Sequence, residues 1–484
     1  MHKISAKKNY IYNVISQIVA ILTPIITTPY VSRVLTVAGV GRASFSTSLI
    51  TYFAVFAALG FSLYAQREVA KHGDDEKEKS KIFWEVNICR LLSVALALAV
   101  NAVLLMTNVY QGNTVLMLIL SINIIAVGFD ITFFYQGNEN FGKVAFVNVS
   151  AKLMMVASIF LFVKSSSDVW IYVLINSLGL FVGYFVMWFF LVKYLTKVSV
   201  KELRPLKHLK GTLHLFLPTI AITLYADLDK SLIGFLSDTS VQNGYYEQAE
   251  KIAKVALTVI TCMGVVMIPR NSKNYVEGNL DAVKQNIYKS MHFVWVMAIP
   301  MCLGVVVVSS NFIPWFLGEE FYGSIKLLQV LSLLFLCIGF SNVVGVQYIL
   351  PTMRDKKYTY GIFFGVLINI IVSIPLIVYL KALGACIATV LAEFSVALMM
   401  FLQVRKELLL KEIFKTIWKP LLSGIMMFGV IFPLSMLLSP SILNTFIIVL
   451  VGMLTYGLMI LALKDELVIT LLKQLYNKVF KRNR

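Results

Sequence analysis

The sequence is a succession of apolar runs of roughly twenty residues or more, separated by short charged or turn-rich breaks, as near 82–107, 114–135 and 144–163. A helix needs about 20 apolar residues to cross a hydrocarbon core of about 30 Å, because each residue advances it by about 1.5 Å. Such runs, repeated along a chain, make lipid the solvent. The composition agrees: 58% of the 484 residues are hydrophobic and 14% are charged, too apolar for a surface that faces water. The predicted fold is an all-α integral membrane protein with about fourteen transmembrane helices. The first six lie near 10–35, 43–65, 82–107, 114–135, 144–163 and 169–192. Six more lie near 212–235, 245–268, 290–310, 325–349, 359–380 and 383–404, with a last pair near 418–438 and 442–463. No cleavable leader is expected, since the apolar stretch after Lys7 and Lys8 runs past leader length without a small-residue cleavage site.

The formal net charge of +18 would suggest nucleic acid in a soluble protein, but here the cations sit in short loops, so no nucleic-acid partner is expected. Cytoplasmic loops collect Lys and Arg. Of the 43 cations, 33 fall on the side that holds both termini, and four, Arg33, Arg42, Lys164 and Lys381, fall on the other. Both termini are therefore expected in the cytoplasm, with the chain multi-pass in the cytoplasmic (inner) membrane. The opposite loops are short, the longest near 309–324, which leaves no extracytoplasmic domain and places function inside the bundle. The basic stretch KYLTKVSVKELRPLKHLKG at 193–211 is the expected linker between an N-lobe, 1–192, and a C-lobe, 212–404, followed by the last two helices and a basic tail over 405–484. Its charges suit the anionic inner leaflet.

The halves echo one another, as in transporters built from repeats. Pro24 opens a stretch that ends at Gly39 and Gly41, and Pro218 opens one that ends at Gly244. Gln136 with Lys143 and Gln347 with Arg354 share one spacing. The five cysteines, Cys89, Cys262, Cys302, Cys337 and Cys386, lie in apolar runs and read as packing residues. The histidines at 2, 72, 208, 214 and 292 form no metal constellation.

A charge near the bilayer centre costs about 2.5–3.5 kcal/mol on insertion scales, so those present should face a polar cavity or a partner. Lys152 lies about nine residues, or roughly 13 Å, inside the fifth span, too deep for easy snorkelling. Asp227, Asp229 and Lys230 sit together in the seventh span, and Glu247 with Lys251 and Glu250 with Lys254 stand four residues apart in the eighth. These could enclose a charged vestibule or simply neutralise each other near an interface. Arg90, near a cytoplasmic helix end, reads as a snorkelling side chain. Asp130 and Glu393 read as isolated acids, with ion coupling, proton coupling and a helix–helix hydrogen bond all open. The first span is polar, with Asn13, Gln17, Thr23, Thr27 and Thr28, and its Pro24 and Pro29 predict a kink or flexible point, either static or a gate. The acidic and basic run GDDEKEKSK at 73–81 reads as a cytoplasmic loop.

Several strings carry a family resemblance: PYVSRVLTVAGVGRASFSTSL at 29–49, GFDITFFYQGNENFGKVA at 128–145, LFLPTIAITLYADLDKSLIG with NGYYEQAEKI across 215–252, and VMIPRNS at 266–272. They resemble the Wzx-type flippases, the polysaccharide transport branch of the multidrug/oligosaccharidyl-lipid/polysaccharide exporter superfamily, over nearly the whole chain. The resemblance implies a V-shaped pair of six-helix lobes with two extra C-terminal helices. It implies alternating-access transfer of an undecaprenyl-diphosphate-linked oligosaccharide from the inner to the outer leaflet, for capsule, O-antigen or a related surface polysaccharide. Membrane lipids and the polysaccharide polymerase and chain-length machinery are the implied partners. A monomer is expected, because each two-lobed chain would enclose its own pathway. No cofactor is implied, and Na+ and H+ both stay open as the coupling ion.

Carried over residue by residue, the resemblance implies a cationic cavity with Arg33, Arg42, Lys152, Lys230, Lys251 and Arg270 as substrate-binding candidates. Asp130, Asp227, Asp229, Glu247 and Glu393 are the coupling or charge-pairing candidates, and Pro24 and Pro29 the gate candidates. A diphosphate suits Arg and Lys, and Tyr30, Tyr135, Tyr245 and Tyr246, in the matching strings, suit sugar faces or an interface. The nearest rivals are a peptidoglycan-precursor flippase and a cation-coupled drug exporter, the latter disfavoured by the surplus of cations. A membrane polymerase would carry a large extracytoplasmic loop or a clustered acidic motif, a channel would carry a filter sequence, and this chain shows neither feature. The chain is thus expected to be a transporter without covalent chemistry, not an enzyme.

Overall fold

The computed structural model describes residues 6–73, 75–107, 109–110, 112–191, 194–237 and 239–480. The side chains of residues 6–11, 13, 217, 218, 221, 222, 475, 476 and 478–480 lie outside the description, and with them the Asn13 side chain singled out above. Among the described residues all regular structure is helical. Ten helices are long and apolar enough to cross a membrane, or eleven when the pair Glu319–Leu331 and Leu334–Ile349, bent by 40°, counts as one. The chain is a multi-pass integral membrane protein.

Two helices are too long to be single crossings. α1 (Ala6–Ala58) has 53 residues and the later helix Asp355–Leu402 has 48, about 80 and 72 Å if straight, against a core of about 30 Å. Each contains one residue with a left-handed backbone, Thr36 (φ 63°) and Lys381 (φ 53°), where the helix breaks. At Lys381 the chain folds back on itself. A Cβ on Gly384 would lie 2.1 Å from the carbonyl oxygen of Leu376, eight residues earlier, which a straight helix would hold about 12 Å away. In α1 the backbone stays helical through Pro24 and Pro29 and breaks at Thr36 instead. A proline removes one hydrogen bond, which a packed membrane helix absorbs, whereas a left-handed residue redirects the chain.

The chain forms two compact units, Met1–Gly244 and Tyr245–Arg484. In the first, α1 packs on α3 (Glu76–Leu105), α4 (Thr114–Phe129), α6 (Phe141–Phe162) and α8 (Leu209–Leu236), while α4 and α6 pack on α7 (Val169–Leu191). The short helices α2 (Phe61–Lys71) and α5 (Thr132–Gly137) close one end over an aromatic core that includes Phe61, Phe83, Phe133, Phe134 and Met187. The run at 73–81 is helical from Glu76 onward, immediately after Asp75. That carboxylate accepts from the backbone N–H groups of Lys77 (3.1 Å) and Glu78 (3.0 Å) and so starts α3 at Glu76. An acidic cap and acidic first turn stabilise a helix N-terminus, and this lengthens α3 beyond its apolar run.

The second unit contains most of α9 (Val241–Val276) and is organised around α10 (Leu280–Phe316). α12 (Leu334–Ser341), α14 (Leu410–Phe414), α15 (Trp418–Leu437) and α16 (Ile442–Ala462) pack on α10. α11 (Gly323–Leu331) and α12 pack on α13 (Asp355–Leu402), and α17 (Glu466–Phe480) follows α16. Residues Asn342–Ile349 form a π-helix. Beside it runs a buried amide chain: Asn286 Nδ2 donates to Asn271 Oδ1 (2.9 Å), Asn271 Nδ2 to the Gln347 carbonyl (2.7 Å), and Gln347 Nε2 to Asn342 Oδ1 (3.0 Å). The wider π turn frees backbone carbonyls, and these side chains use one of them.

Candidate functional site

Several charged residues of the first unit form separate, locally neutralised groups. Arg90 on α3 is fully buried, so it does not snorkel. Its Nη1 donates to the Asp130 carbonyl, its Nη2 to Ser62 Oγ (3.3 Å), and its guanidinium lies 5.0 Å from the Phe133 ring centroid. Asp130 is correspondingly no isolated acid. It ends α4, and its carboxylate accepts from Thr132 N (3.0 Å), Thr132 Oγ1 (2.6 Å) and Ser62 Oγ (2.9 Å). Burying a guanidinium is tolerable only with acceptors and a counter-charge at hand, and the α4–α5 corner supplies both. Sequence reading missed this because the partners are 40 residues apart.

On α8, Lys230 Nζ lies 3.6 Å from Asp227 Oδ1 with both side chains mostly covered, and Asp229 is buried. Ser231 ties this stretch to α1 through Ser48 Oγ (2.9 Å) and Tyr52 OH (3.0 Å). Arg33 is exposed, and Lys152, half-buried on α6, has no ion pair or hydrogen bond among the described residues. Arg42 is exposed at the edge of a cavity of about 340 Å³, with its Nε donating to Asn113 Oδ1 at 3.1 Å. Beneath it two helices cross backbone to backbone: a Cβ on Gly41 would lie 1.8 Å from the Ser240 carbonyl oxygen, and one on Gly244 2.1 Å from the Val37 carbonyl oxygen. The glycines that end the two echoed stretches are thus a single contact.

In the second unit, Glu247–Lys251 and Glu250–Lys254 form ion pairs of 2.8 Å along α9, Arg270 is exposed further along the same helix, and Glu393 is half-buried on α13. Among the tyrosines, Tyr135 and Tyr246 are buried, Tyr135 donating to the Met187 carbonyl (2.7 Å), so neither offers its face to a sugar in this conformation. Tyr30 donates to the Val163 carbonyl (2.6 Å), and Tyr245 packs on Phe321. Cys262 is exposed, whereas Cys89, Cys302 and Cys386 are buried as packing residues.

A further cluster fixes the basic stretch at 193–211 to the first unit. Glu85, fully buried on α3, accepts from the Arg204 N–H (2.6 Å), Lys207 Nζ (2.7 Å) and His208 Nε2 (2.8 Å), and Tyr64 OH meets His208 Nδ1 at 3.0 Å. Burial holds the His208 imidazole below its ordinary pKa against the opposing pull of Glu85. An acid three residues inside an apolar run, with a His-containing basic linker downstream, was the available sign of this contact. The second unit carries a comparable tie. Arg354 Nη1 donates to both carboxylate oxygens of Glu407 (2.6 and 2.7 Å), and Tyr348 OH donates to the same group (2.6 Å).

Over residues 6–275 the sequence matches the family described as polysaccharide biosynthesis protein. The chain belongs to this family. Relatives of this polysaccharide biosynthesis protein include one from Escherichia coli K12 whose name is "Putative O-antigen transporter", 24% identical over 413 residues that span 84% of this chain and 99% of the relative. A second so named, from Shigella dysenteriae, is 25% identical over 79% of this chain and 96% of its own length. These matches bear out the resemblance to Wzx-type polysaccharide flippases. Among solved structures, the lipid II flippase MurJ in an inward closed conformation superposes with a TM-score of 0.73 over 94% of this chain and 98% of that one, at 16% identity. A MATE-family multidrug resistance transporter in an inward-facing conformation superposes with a TM-score of 0.63 over 79% and 94%, at 12% identity. Identities this low establish the fold alone: an all-α membrane transporter fold shared by MurJ and the MATE proteins.

Proposed function

We propose that this chain is a flippase that moves an undecaprenyl-diphosphate-linked oligosaccharide from the inner to the outer leaflet, by alternating access and without covalent chemistry. The observation that carries the reading is the match, across 99% of its length, to the relative named "Putative O-antigen transporter". The reading takes the chain as fourteen crossings, with α1 and α13 each divided, at Thr36 and Lys381, the bent pair within Glu319–Ile349 counted as one and α8 added as another, and both termini in the cytoplasm. The segregation of 33 cations to one side and four to the other supports that orientation. The lobes 1–192 and 212–404 then rock against one another, with the Pro24–Pro29 segment as a gate.

Within this proposal the ion pairs are the working parts. Lys230 and Lys251 are held by Asp227 and Glu247 on their own helices, which lowers the cost of keeping a cation in the membrane while no substrate is bound. An arriving diphosphate, with more charge and more acceptor oxygens than one carboxylate, displaces those acids. Lys152, Arg33 and Arg270 add positive potential along the path, and Asp130, Asp229 and Glu393 are the remaining acids available for coupling to Na+ or H+.

The test is headgroup flipping in proteoliposomes with a fluorescent undecaprenyl-diphosphate oligosaccharide, the outer label being quenched chemically. Wild type should render nearly all label accessible, while Lys152→Glu and Arg33→Glu slow the exchange far more than Lys164→Glu. Folded wild type that flips none of several candidate oligosaccharides, with and without ion gradients, would point to a different exporter of the same fold.

A further inference from the structure

The cavity beside Arg42 is built entirely within the first unit, and its composition differs from that of the apolar grooves elsewhere in the bundle. Arg42, Asn113, Ser237, Thr239, Ser240 and Asn243 supply its polar wall, and among the described residues that line it there is no carboxylate. Two features show that it is a formed site. Asn113, itself buried, holds the Arg42 Nε, which orients the guanidinium and leaves its two terminal nitrogens without a partner among the described residues. Asn243 is completely buried, yet neither its Oδ1 nor its Nδ2 has a hydrogen-bond partner among the described residues, and the buried Ser237 Oγ has none there either.

Buried polar atoms in native proteins are nearly always paired, and an unpaired one costs far more than an ordinary hydrogen bond returns. Three such atoms around one cavity call for a partner that enters it, bound water or a ligand. The wall also stands at the N-terminus of the 36-residue helix α9, where the helix dipole favours negative charge. The requirements combine into one chemistry. The Arg42 fork and the helix end call for an oxyanion, Ser237 and Asn243 Nδ2 can donate to further oxygens, and Asn243 Oδ1 needs a donor, which a carboxylate or a doubly ionised phosphate monoester lacks and a sugar hydroxyl supplies. A volume of about 340 Å³ is at the lower end for small-molecule sites.

We propose that this cavity is a binding site for a single sugar residue bearing an oxyanion, a phosphate or a carboxylate. The inference rests on the flippase reading for its biological source, since lipid-linked oligosaccharides offer both the glycosyl phosphate and acidic sugars. On the proposed orientation the turn that carries Arg42 faces outward, so the site receives the headgroup on the release side.

The full-length protein in nanodiscs of neutral lipid is titrated with glucose 1-phosphate, glucuronate, glucose and inorganic phosphate, and binding is followed by ligand-observed NMR. Saturable binding of one or both sugar oxyanions is expected, at least about tenfold tighter than glucose or phosphate, and weakened about tenfold or more by Arg42→Gln. Ser237→Ala and Asn243→Ala should weaken it too, while Lys164→Gln leaves it unchanged. Whichever sugar binds identifies the source, glycosyl phosphate or acidic sugar. Equal binding of inorganic phosphate, binding indifferent to Arg42→Gln, or no binding by folded wild type overturns the proposal. The flipping assay separates it from the functional reading: flipping without binding removes the site and keeps the flippase, and binding without flipping does the reverse.

Discussion

Replacing Gly41 with alanine tests the helix crossing that floors the Arg42 cavity. The added Cβ would lie 1.8 Å from the Ser240 carbonyl oxygen and 2.9 Å from the Gly244 nitrogen, where ordinary contact begins at 3.4 Å. Both obstacles are backbone, so no side chain can swing aside, and the crossing must open by roughly 1.6 Å, the difference between the two distances. Overpacking of this kind costs about 1–3 kcal/mol, against a gain of up to about 1 kcal/mol from replacing glycine by alanine in a helix. Gly457, on α16, has nothing within 4 Å of the same added atom, so Gly457→Ala keeps only the gain. The two variants should therefore move the unfolding temperature in opposite directions, read by tryptophan fluorescence on the detergent-purified protein. Gly244→Ala should resemble Gly41→Ala, and the double variant should lose less than the sum, since one opening accommodates both methyl groups. A Gly41→Ala protein as stable as Gly457→Ala would refute the crossing.

Arg90→Met should lower stability by about 1–3 kcal/mol, because it leaves the Asp130 carbonyl without its donor and the half-buried carboxylate without a nearby counter-charge, and the double variant Arg90→Met/Asp130→Asn should recover part of that in membrane level and unfolding temperature. Glu85→Gln should release the 193–211 stretch, visible as faster limited tryptic proteolysis after Lys201 or Lys207 with the bundle intact. The Glu407 carboxyl would be raised by burial, but the Arg354 and Tyr348 hydrogen bonds outweigh this and hold it below its ordinary value of 4.5. A depressed acid contributes stability that is fully present above the unfolded-state pKa and is lost as pH falls through the folded one. Wild type should accordingly lose about 1 kcal/mol more than Glu407→Gln on acidification from pH 6 to below pH 4, measured as the difference in unfolding-temperature shifts.

The membrane-spanning, all-helical architecture was legible in the sequence because it depends on a one-dimensional property, the length of apolar runs. Thr36 and Lys381 were not legible as turns of a single left-handed residue, since neither is a glycine or proline, and Pro24 and Pro29 drew attention to a stretch that stays helical. Charge pairs along one helix, Lys251 with Glu247 and Lys230 with Asp227, were visible from spacing alone. Pairs made by packing were not. Arg90 looked like a snorkelling side chain because its partner Asp130 lies on another helix, and Glu85 was passed over although it fixes the linker. The cavity at Arg42 needed three segments to meet, at Arg42, Asn113 and Ser237–Asn243, and no local pattern announces that.

The echo between the halves gains a physical meaning from its partners. Lys143, at the start of α6, donates to the Tyr194 hydroxyl just beyond α7, and Arg354, at the start of α13, pairs with Glu407 just beyond the same helix. In both units a cation at the head of a two-span hairpin fastens the chain that leaves it. The chemistry differs, a cation–phenol contact in one and a two-oxygen ion pair in the other, so the sequences drift apart while the mechanical role stays. The fastened segments are the connections out of each helical group, 194 onward and 405 onward, which would carry the strain if the groups move against one another. The stronger Arg354–Glu407 tie then marks the connection to α15 and α16 as the more firmly held of the two. The Lys143–Tyr194 contact, with no full counter-charge, is the one to yield first.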